Sequence, residues 1–237
     1  SQDNSYLLNV RKKRYEQTTI RVTYPSLADV PEQYIKIEIS HVERFPILPT
    51  VRRQAHLPEG ETWLTTYKPE ELIATKIRAL YDRLKGRDIY DLWSVSRTLE
   101  LDKTAIRKLF LYYFYRSRKV FNPKLFFARL GKAVMGNAIV DDVSGFVRPD
   151  VDFDLQEGAN KVLKWLDFLG ELNEEDRDFL LLARILLGKG EVPKEKRKEI
   201  ASIRYPLSYL FSKGYEITVQ AHQTTTDDIR PFAKKKE

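Results

Sequence analysis

Residues 72–93 read LIATKIRALYDRLKGRDIYDLW, and their periodicity decides the fold. Apolar residues recur at helical spacing on both sides of Gly86, so the stretch reads as two amphipathic helices joined by a tight turn. Pro69 suits the first helical position, Glu70 and Glu71 favour a first turn, and Gly86 ends the first helix. The second helix begins near Arg87 or Asp88 and runs to about Leu99.

Wound at about 100° per residue, Leu72, Ile73, Ile77, Leu80 and Leu84 cover an arc of roughly 140°. Lys76 falls inside that arc, at about 40° from Leu72, whereas Arg78 falls well outside it. A lysine facing a core needs a partner for its charge or a route to water. Its stem can pack along apolar surface while the ammonium snorkels outward. Alternatively, the ammonium points into a cleft that holds a phosphate or a carboxylate. On the second helix Ile89, Leu92, Trp93, Val95 and Leu99 define the apolar face, with Asp88 near Leu92 and Asp91 bordering Val95. Carboxylates three residues apart can share one helix face. Asp88 alone also reads as an N-cap after glycine, and Asp91 as an ion-pair partner of Arg87. A lysine at a core edge followed by two acids at the next helix start is the more specific pattern.

Working outward, YLLNVR, RYEQTTIRVTY and YIKIEIS read as three strands, with Ile35, Ile37 and Ile39 on one face and Tyr34, Lys36 and Glu38 on the other. Residues 41–61 hold Pro46, Pro49 and Pro58 and read as an extended crossing loop, after which TWLTTY adds a short strand. Helices are expected at 102–118 and 122–134, then an acidic connector at 141–154. Two further helical stretches follow at 157–172 and 173–190, the second with Asn173 as its cap, then a helix near 194–212 and a strand at 214–219. The expected architecture is α+β: a small antiparallel sheet region over 1–66, helices carrying the Lys and Arg-Asp-x-x-Asp residues over 67–140, and a C-terminal helical region over 141–237.

Composition narrows the function classes. With 42% hydrophobic and 32% charged residues the chain has the make-up of a globular protein. No run reaches the ~18 apolar residues of a membrane span. The absence of cysteine excludes disulfides, thiol catalysis and Cys-ligated zinc, and cytoplasm is the expected compartment. His41, His56 and His222 are scattered without ligand spacing, which argues against a histidine metalloenzyme. The net charge of +7 is uneven: residues 1–150 carry 26 Lys and Arg against 18 Asp and Glu, residues 151–237 carry 15 against 16. A basic half points to a polyanionic ligand, with Arg52, Arg53, Arg83 and Lys85 as candidate nucleic-acid contacts.

The segment YKPEELIATKIRAL…RLKGRDIYDLW resembles the C-terminal signature of the AbiEii/AbiGii-type nucleotidyltransferase toxins: a helix with an inward lysine, then Arg/Lys-Asp-x-x-Asp on the next helix. IKIEIS matches the family's acidic strand at Glu38, and RFPILPTVRR is similar to its connecting segment. The resemblance covers roughly residues 5–150. It implies a partial nucleotidyltransferase-like sheet and transfer of a nucleoside monophosphate from an NTP to an RNA, with tRNA as the expected acceptor. It also implies Mg2+ as cofactor and a cognate antitoxin as partner. By the same resemblance Lys76 and Arg87 would bind the nucleotide, Glu38 would support the metal or activate the acceptor hydroxyl, and Asp88 and Asp91 would position the nucleotide or the lysine.

One departure stands out. The family's Gly-Ser turn followed by Asp-x-Asp has no copy here; the Asp-x-Asp run in RPDVDFD (Asp150, Asp152, Asp154) follows the helices with no Gly-Ser turn before it and reads as a solvated linker. The sequence starts at Ser1 and its only methionine is Met135, so the motif is expected to lie upstream and the chain as given to be catalytically crippled. The alternative is a non-catalytic RNA- or partner-binding module using a basic surface, with Tyr112, Tyr113, Phe114 and Tyr115 available for base stacking.

Overall fold

The computed structural model describes residues 7–13, 17–24, 33–41, 46–57, 60–136, 138–143, 145, 147–189, 195 and 216–218. The chain divides into two compact units, Ser1–Pro46 and Ile47–Glu237. The fold class is α+β, with two small antiparallel sheets and six α-helices among the described residues.

The first unit is a three-stranded sheet, β1 (Leu7–Lys13), β2 (Gln17–Tyr24) and β3 (Gln33–Ser40), in that order. The β1–β2 register shifts between Val10 and Lys12, a bulge in the ladder. Across β2–β3, Ile20 faces Ile37 and Val22 faces Ile35, while Thr19 faces Glu38 and Arg21 faces Lys36. The period-two alternation therefore sorts the isoleucines from the charges, as strand geometry requires. Both faces of β3 are nonetheless exposed, Ile35 by 55%.

In the second unit, Val51–Leu57 is not part of an extended crossing loop: β4 (Val51–Leu57) pairs antiparallel with β5 (Gly60–Thr66), from Val51 opposite Thr66 to Leu57 opposite Gly60. Arg52, Arg53, Gln54 and His56 are exposed, so the strand buries no alternating apolar set and left no periodic signal. Its register rests on backbone pairing and on cross-strand contacts such as the Arg52 guanidinium over the Trp63 ring.

Six helices follow: α1 (Pro69–Arg83), α2 (Gly86–Thr98), α3 (Lys103–Arg116), α4 (Pro123–Met135), α5 (Leu155–Trp165) and α6 (Glu174–Leu187). A 3-10 turn at Leu166–Gly170 interrupts the stretch read as one helix over 157–172. The centre is α3, in which every residue from Ala105 to Tyr115 is buried. That overturns the stacking platform: Tyr112, Tyr113, Phe114 and Tyr115 are 5% exposed or less and pack as core. Phe110, Phe114, Phe121 and Phe126 form a cluster of tilted and edge-to-face rings that joins α3 to α4.

Two charged residues of this buried helix are matched by acids at the start of α6: Arg107 Nε lies 2.8 Å from Asp176 Oδ2, and Lys108 Nζ lies 2.6 Å from Glu175 Oε2. Asp176 also closes a capping box with Asn173, which is the cap the sequence indicates. Asp154 is likewise no mere linker residue, since it caps α5 by accepting from Glu157 N at 2.7 Å. The helix expected near 194–212 and the AKKKE terminus lie outside the described residues, apart from Glu195. Of the strand expected at 214–219 only residues 216–218 are described; they form no ladder, and Thr218 N donates to Ile47 O at 2.8 Å.

Candidate active site

The corner between α1 and α2 is built differently from the sequence expectation. Gly86 does not end α1. The helix stops at Arg83 because Leu84 turns left-handed (φ 48°, ψ 52°), with its amide still bonded to Leu80 O. Gly86 instead opens α2, where a close approach favours it: an added Cβ would sit 3.1 Å from Val140 O and 3.3 Å from Val143 Cγ1. Gly86 N donates to Val140 O at 2.8 Å, and Val140 N donates to Leu84 O at 2.9 Å. The segment at 140–142 thus straps the turn that a left-handed leucine would otherwise disfavour.

Nor is Asp88 the N-cap of α2. That position is Lys85, which offers no side-chain cap, and Asp142 supplies the missing acceptor by taking Arg87 N at 3.1 Å. Asp142 also faces Arg87 Nε at 3.5 Å and Lys85 Nζ at 3.9 Å. Freed from capping, Asp88 is fully buried and accepts a two-pronged bond from Arg83, Nε to Oδ2 and Nη2 to Oδ1, each 2.7 Å. Bidentate guanidinium–carboxylate pairs are among the stronger polar contacts in proteins. The Asp88 bond raises the Arg83 pKa further above its ordinary value, with burial opposing it.

Lys76 closes the network. Its ammonium lies 2.5 Å from Asp91 Oδ2 and 3.8 Å from Asp88 Oδ1, and its side chain is 41% exposed. The buried stripe of α1 is Ile73, Ala74, Ile77 and Leu80; Leu72, assigned to that stripe from periodicity, is 43% exposed. Dropping Leu72 moves Lys76 from inside the apolar arc to its margin. There the stem lies against the core edge while the head reaches the two acids and solvent. On α2, Ile89, Leu92 and Trp93 are buried, whereas Leu99 lies past the helix end and is 47% exposed. Asp91 pairs with Lys76, and Arg87 takes Asp142 in its place.

The structure therefore brings Lys76, Arg83, Asp88 and Asp91 together at one corner, with Lys85 and Arg87 on its flank around Asp142. Arg52 and Arg53 are exposed on β4. Glu38 belongs to the other unit, where its carboxylate meets Lys36 Nζ at 2.7 Å and Gln17 Nε2 at 2.5 Å. The Lys36 hydrogen bond is the first cause of a pKa below the ordinary 4.5, so this acid stays ionised. Two participants were missed in the sequence. Asp142 read as connector, and Glu71 read only as a first-turn acid, although it is 1% exposed and accepts from Ile47 N, Leu48 N and Tyr113 Oη.

Chemically, the corner offers a part-exposed ammonium whose close partners among the described residues are the acids Asp91 and Asp88, which suits exchange onto a phosphate oxygen. It does not by itself suit Mg2+. Asp88 is taken by Arg83, Asp91 by Lys76 and Glu38 by Lys36, and among the described residues no group of three or more His, Asp or Glu side chains can hold a metal ion. A cleft of about 490 Å3 lies along α2, lined by Trp93, Arg97, Asp150, Asp152, Glu157 and Lys161; Lys76 is not part of it.

Residues 3–204 match the model of the family described as nucleotidyl transferase AbiEii toxin, type IV TA system. The fold is similar to that of MenT4, a nucleotidyltransferase toxin of Mycobacterium tuberculosis H37Rv, at 18% identity over 87% of this chain and 68% of that one, with a TM-score of 0.60. It also matches JHP933 of Helicobacter pylori at 20% identity over 73% of this chain and 69% of that one, with a TM-score of 0.39. No curated protein matches the sequence.

Proposed function

The chain belongs to the AbiEii nucleotidyltransferase toxin family of type IV toxin–antitoxin systems, and on that premise we propose that it transfers a nucleoside monophosphate from an NTP to an RNA acceptor, tRNA first among them. The single observation that carries this reading is the Lys76 ammonium, held at the rim of the α1–α2 corner between Asp91 and Asp88. A phosphate oxygen can take the place of Asp91 Oδ2 on that ammonium without exposing any buried charge, because Lys76 and Asp91 are each about two-fifths exposed.

In the proposed reaction an acceptor hydroxyl oxygen bonds to the α-phosphorus of the NTP, the bond to the bridging oxygen breaks, and pyrophosphate leaves. Lys76 counters the negative charge on the phosphates, with Arg87 as a second cation at the flank. Asp91 keeps the ammonium oriented between turnovers. Asp88 acts at one remove, since its oxygens are committed to Arg83 and it presents that guanidinium in one orientation. Glu38 is the carboxylate proposed to receive the proton of the acceptor hydroxyl, a role that rests on the family resemblance alone. No step is routed through Mg2+, for which the described residues supply no site. The sequence carries no Gly-Ser turn followed by Asp-x-Asp, so transfer is proposed for the protein with that motif supplied and not for these 237 residues by themselves.

Membership of a toxin–antitoxin family implies an antitoxin as partner. No helix among the described residues is long and apolar enough to cross a membrane, and cytoplasm is the proposed compartment. The basic residues of the first 150 positions support an RNA acceptor. The test is direct: the full-length protein, incubated with RNA and an NTP labelled at the α-phosphate, should move label onto the RNA. A protein that retains RNA but never labels it would be a binding module instead.

A further inference from the structure

Pro46-Ile47-Leu48-Pro49 has two amide hydrogens to place, because neither proline carries one. The segment lies in no helix or strand, so no ladder partner is on offer. Both amides go to one side chain: Ile47 N donates to Glu71 Oε1 at 2.7 Å and Leu48 N to Glu71 Oε2 at 3.0 Å. Tyr113 Oη adds a third bond to Oε1 at 2.5 Å, and Ile47 O accepts from Thr218 N at 2.8 Å. All of this is buried, with Ile47 and Glu71 each 1% exposed and Leu48 4%.

An apolar residue at position 71 would avoid burying a charge but would strand two amides and a phenol, which is the larger loss. A carboxylate with three donors satisfies all of them. Its place in the chain gives the arrangement its meaning. Ile47 is the first residue of the second unit, and Pro46 the last of the unit that carries Glu38. Glu71 lies on α1, five residues before Lys76.

We infer that Glu71 is a positioning residue for nucleotide transfer: it touches no nucleotide, and it clamps Ile47 and Leu48, the start of the second unit, to the helix that bears Lys76. This rests on the transferase reading, and it extends that reading to a residue outside the charged corner. Glu71→Gln keeps the size but turns one acceptor into an NH2 group that faces an amide donor. Tyr113→Phe removes a single donor and leaves both amides bonded.

The experiment combines hydrogen exchange and kinetics on the full-length protein. In Glu71→Gln the amides of Ile47 and Leu48 should exchange at least ~10-fold faster, a single hydrogen bond's worth of protection, with α2 protected as before. The kcat of transfer should fall by about 10-fold or more while KM for the NTP stays within about twofold, because Lys76 is untouched. Tyr113→Phe should move both readouts the same way by less, and it stands in for Glu71→Gln if that variant does not fold. Unchanged exchange at the two amides would overturn the clamp. Faster exchange with an unaltered kcat, or with an equal loss of protection throughout the helices, would overturn the positioning role. If the wild-type protein transfers nothing, the transferase reading fails and the positioning role with it, while the exchange rates still decide the clamp.

Discussion

The Lys76 ammonium lies 2.5 Å from the Asp91 carboxylate, and this contact ties the middle of α1 to the second turn of α2. Beneath it Asp88, with no exposed surface, holds Arg83 by two bonds. One pair is open to exchange with a ligand and the other is closed.

The closed pair should behave as a structural unit. Asp88→Ala and Arg83→Ala should each destabilise the protein, Arg83→Ala the more because it leaves the fully buried Asp88 carboxylate without its two-pronged partner, whereas the part-exposed Arg83 can turn to water. In a double-mutant cycle read by urea unfolding, the coupling should be about 1 to 3 kcal/mol, discounted toward the lower end because Arg83 is 43% exposed. Strict additivity would show that the bond contributes nothing.

Glu71 gives a pH signature. Burial raises its pKa above the ordinary 4.5, against the amides of Ile47 and Leu48 and the Tyr113 hydroxyl, which lower it. With the folded value above the unfolded one, the stability it contributes is complete below the unfolded pKa and is lost as pH rises through the folded one. Relative to Glu71→Gln, the wild-type protein should therefore gain stability as pH falls from neutral toward ~4.5. Urea unfolding of both proteins at several pH values measures this, and a difference that grows with rising pH would refute the sign.

The sequence announced most of the helical frame, because α1 to α4 and α6 carry apolar residues at helical spacing and their caps, Asn173 above all, follow local side-chain chemistry. The corner residues Lys76, Asp88 and Asp91 were legible for the same reason: three charges broke an otherwise apolar rhythm. What escaped depended on partners distant in the chain. The strap from Val140 and Asp142, and the capture of Ile47 and Leu48 by Glu71, join residues 23 to 56 positions apart, and no local pattern encodes them. β4 escaped because a strand with exposed Arg52, Arg53 and His56 shows no period. Leu72 misled because apolar identity alone does not say which edge of a stripe is covered.

RNA retention should depend on β4. Arg52 and Arg53 are exposed, and neither is needed for the core. Replacing both with alanine should weaken RNA binding and flatten the dependence of log K on log salt by about 1 to 2, as expected for two lost phosphate contacts. Thermal stability should stay within about 0.5 kcal/mol of wild type. An unchanged salt slope would remove these arginines from the RNA path.

The most direct measurement is nucleotide transfer by the full-length protein carrying Lys76→Ala, read as label moved from NTP to RNA beside a filter measurement of RNA bound. Loss of one transition-state cation should cut transfer by about 100-fold or more with RNA retention unchanged within about twofold. Transfer at the wild-type rate in that variant would contradict the account, because the ammonium at the α1–α2 corner would then have no part in the chemistry.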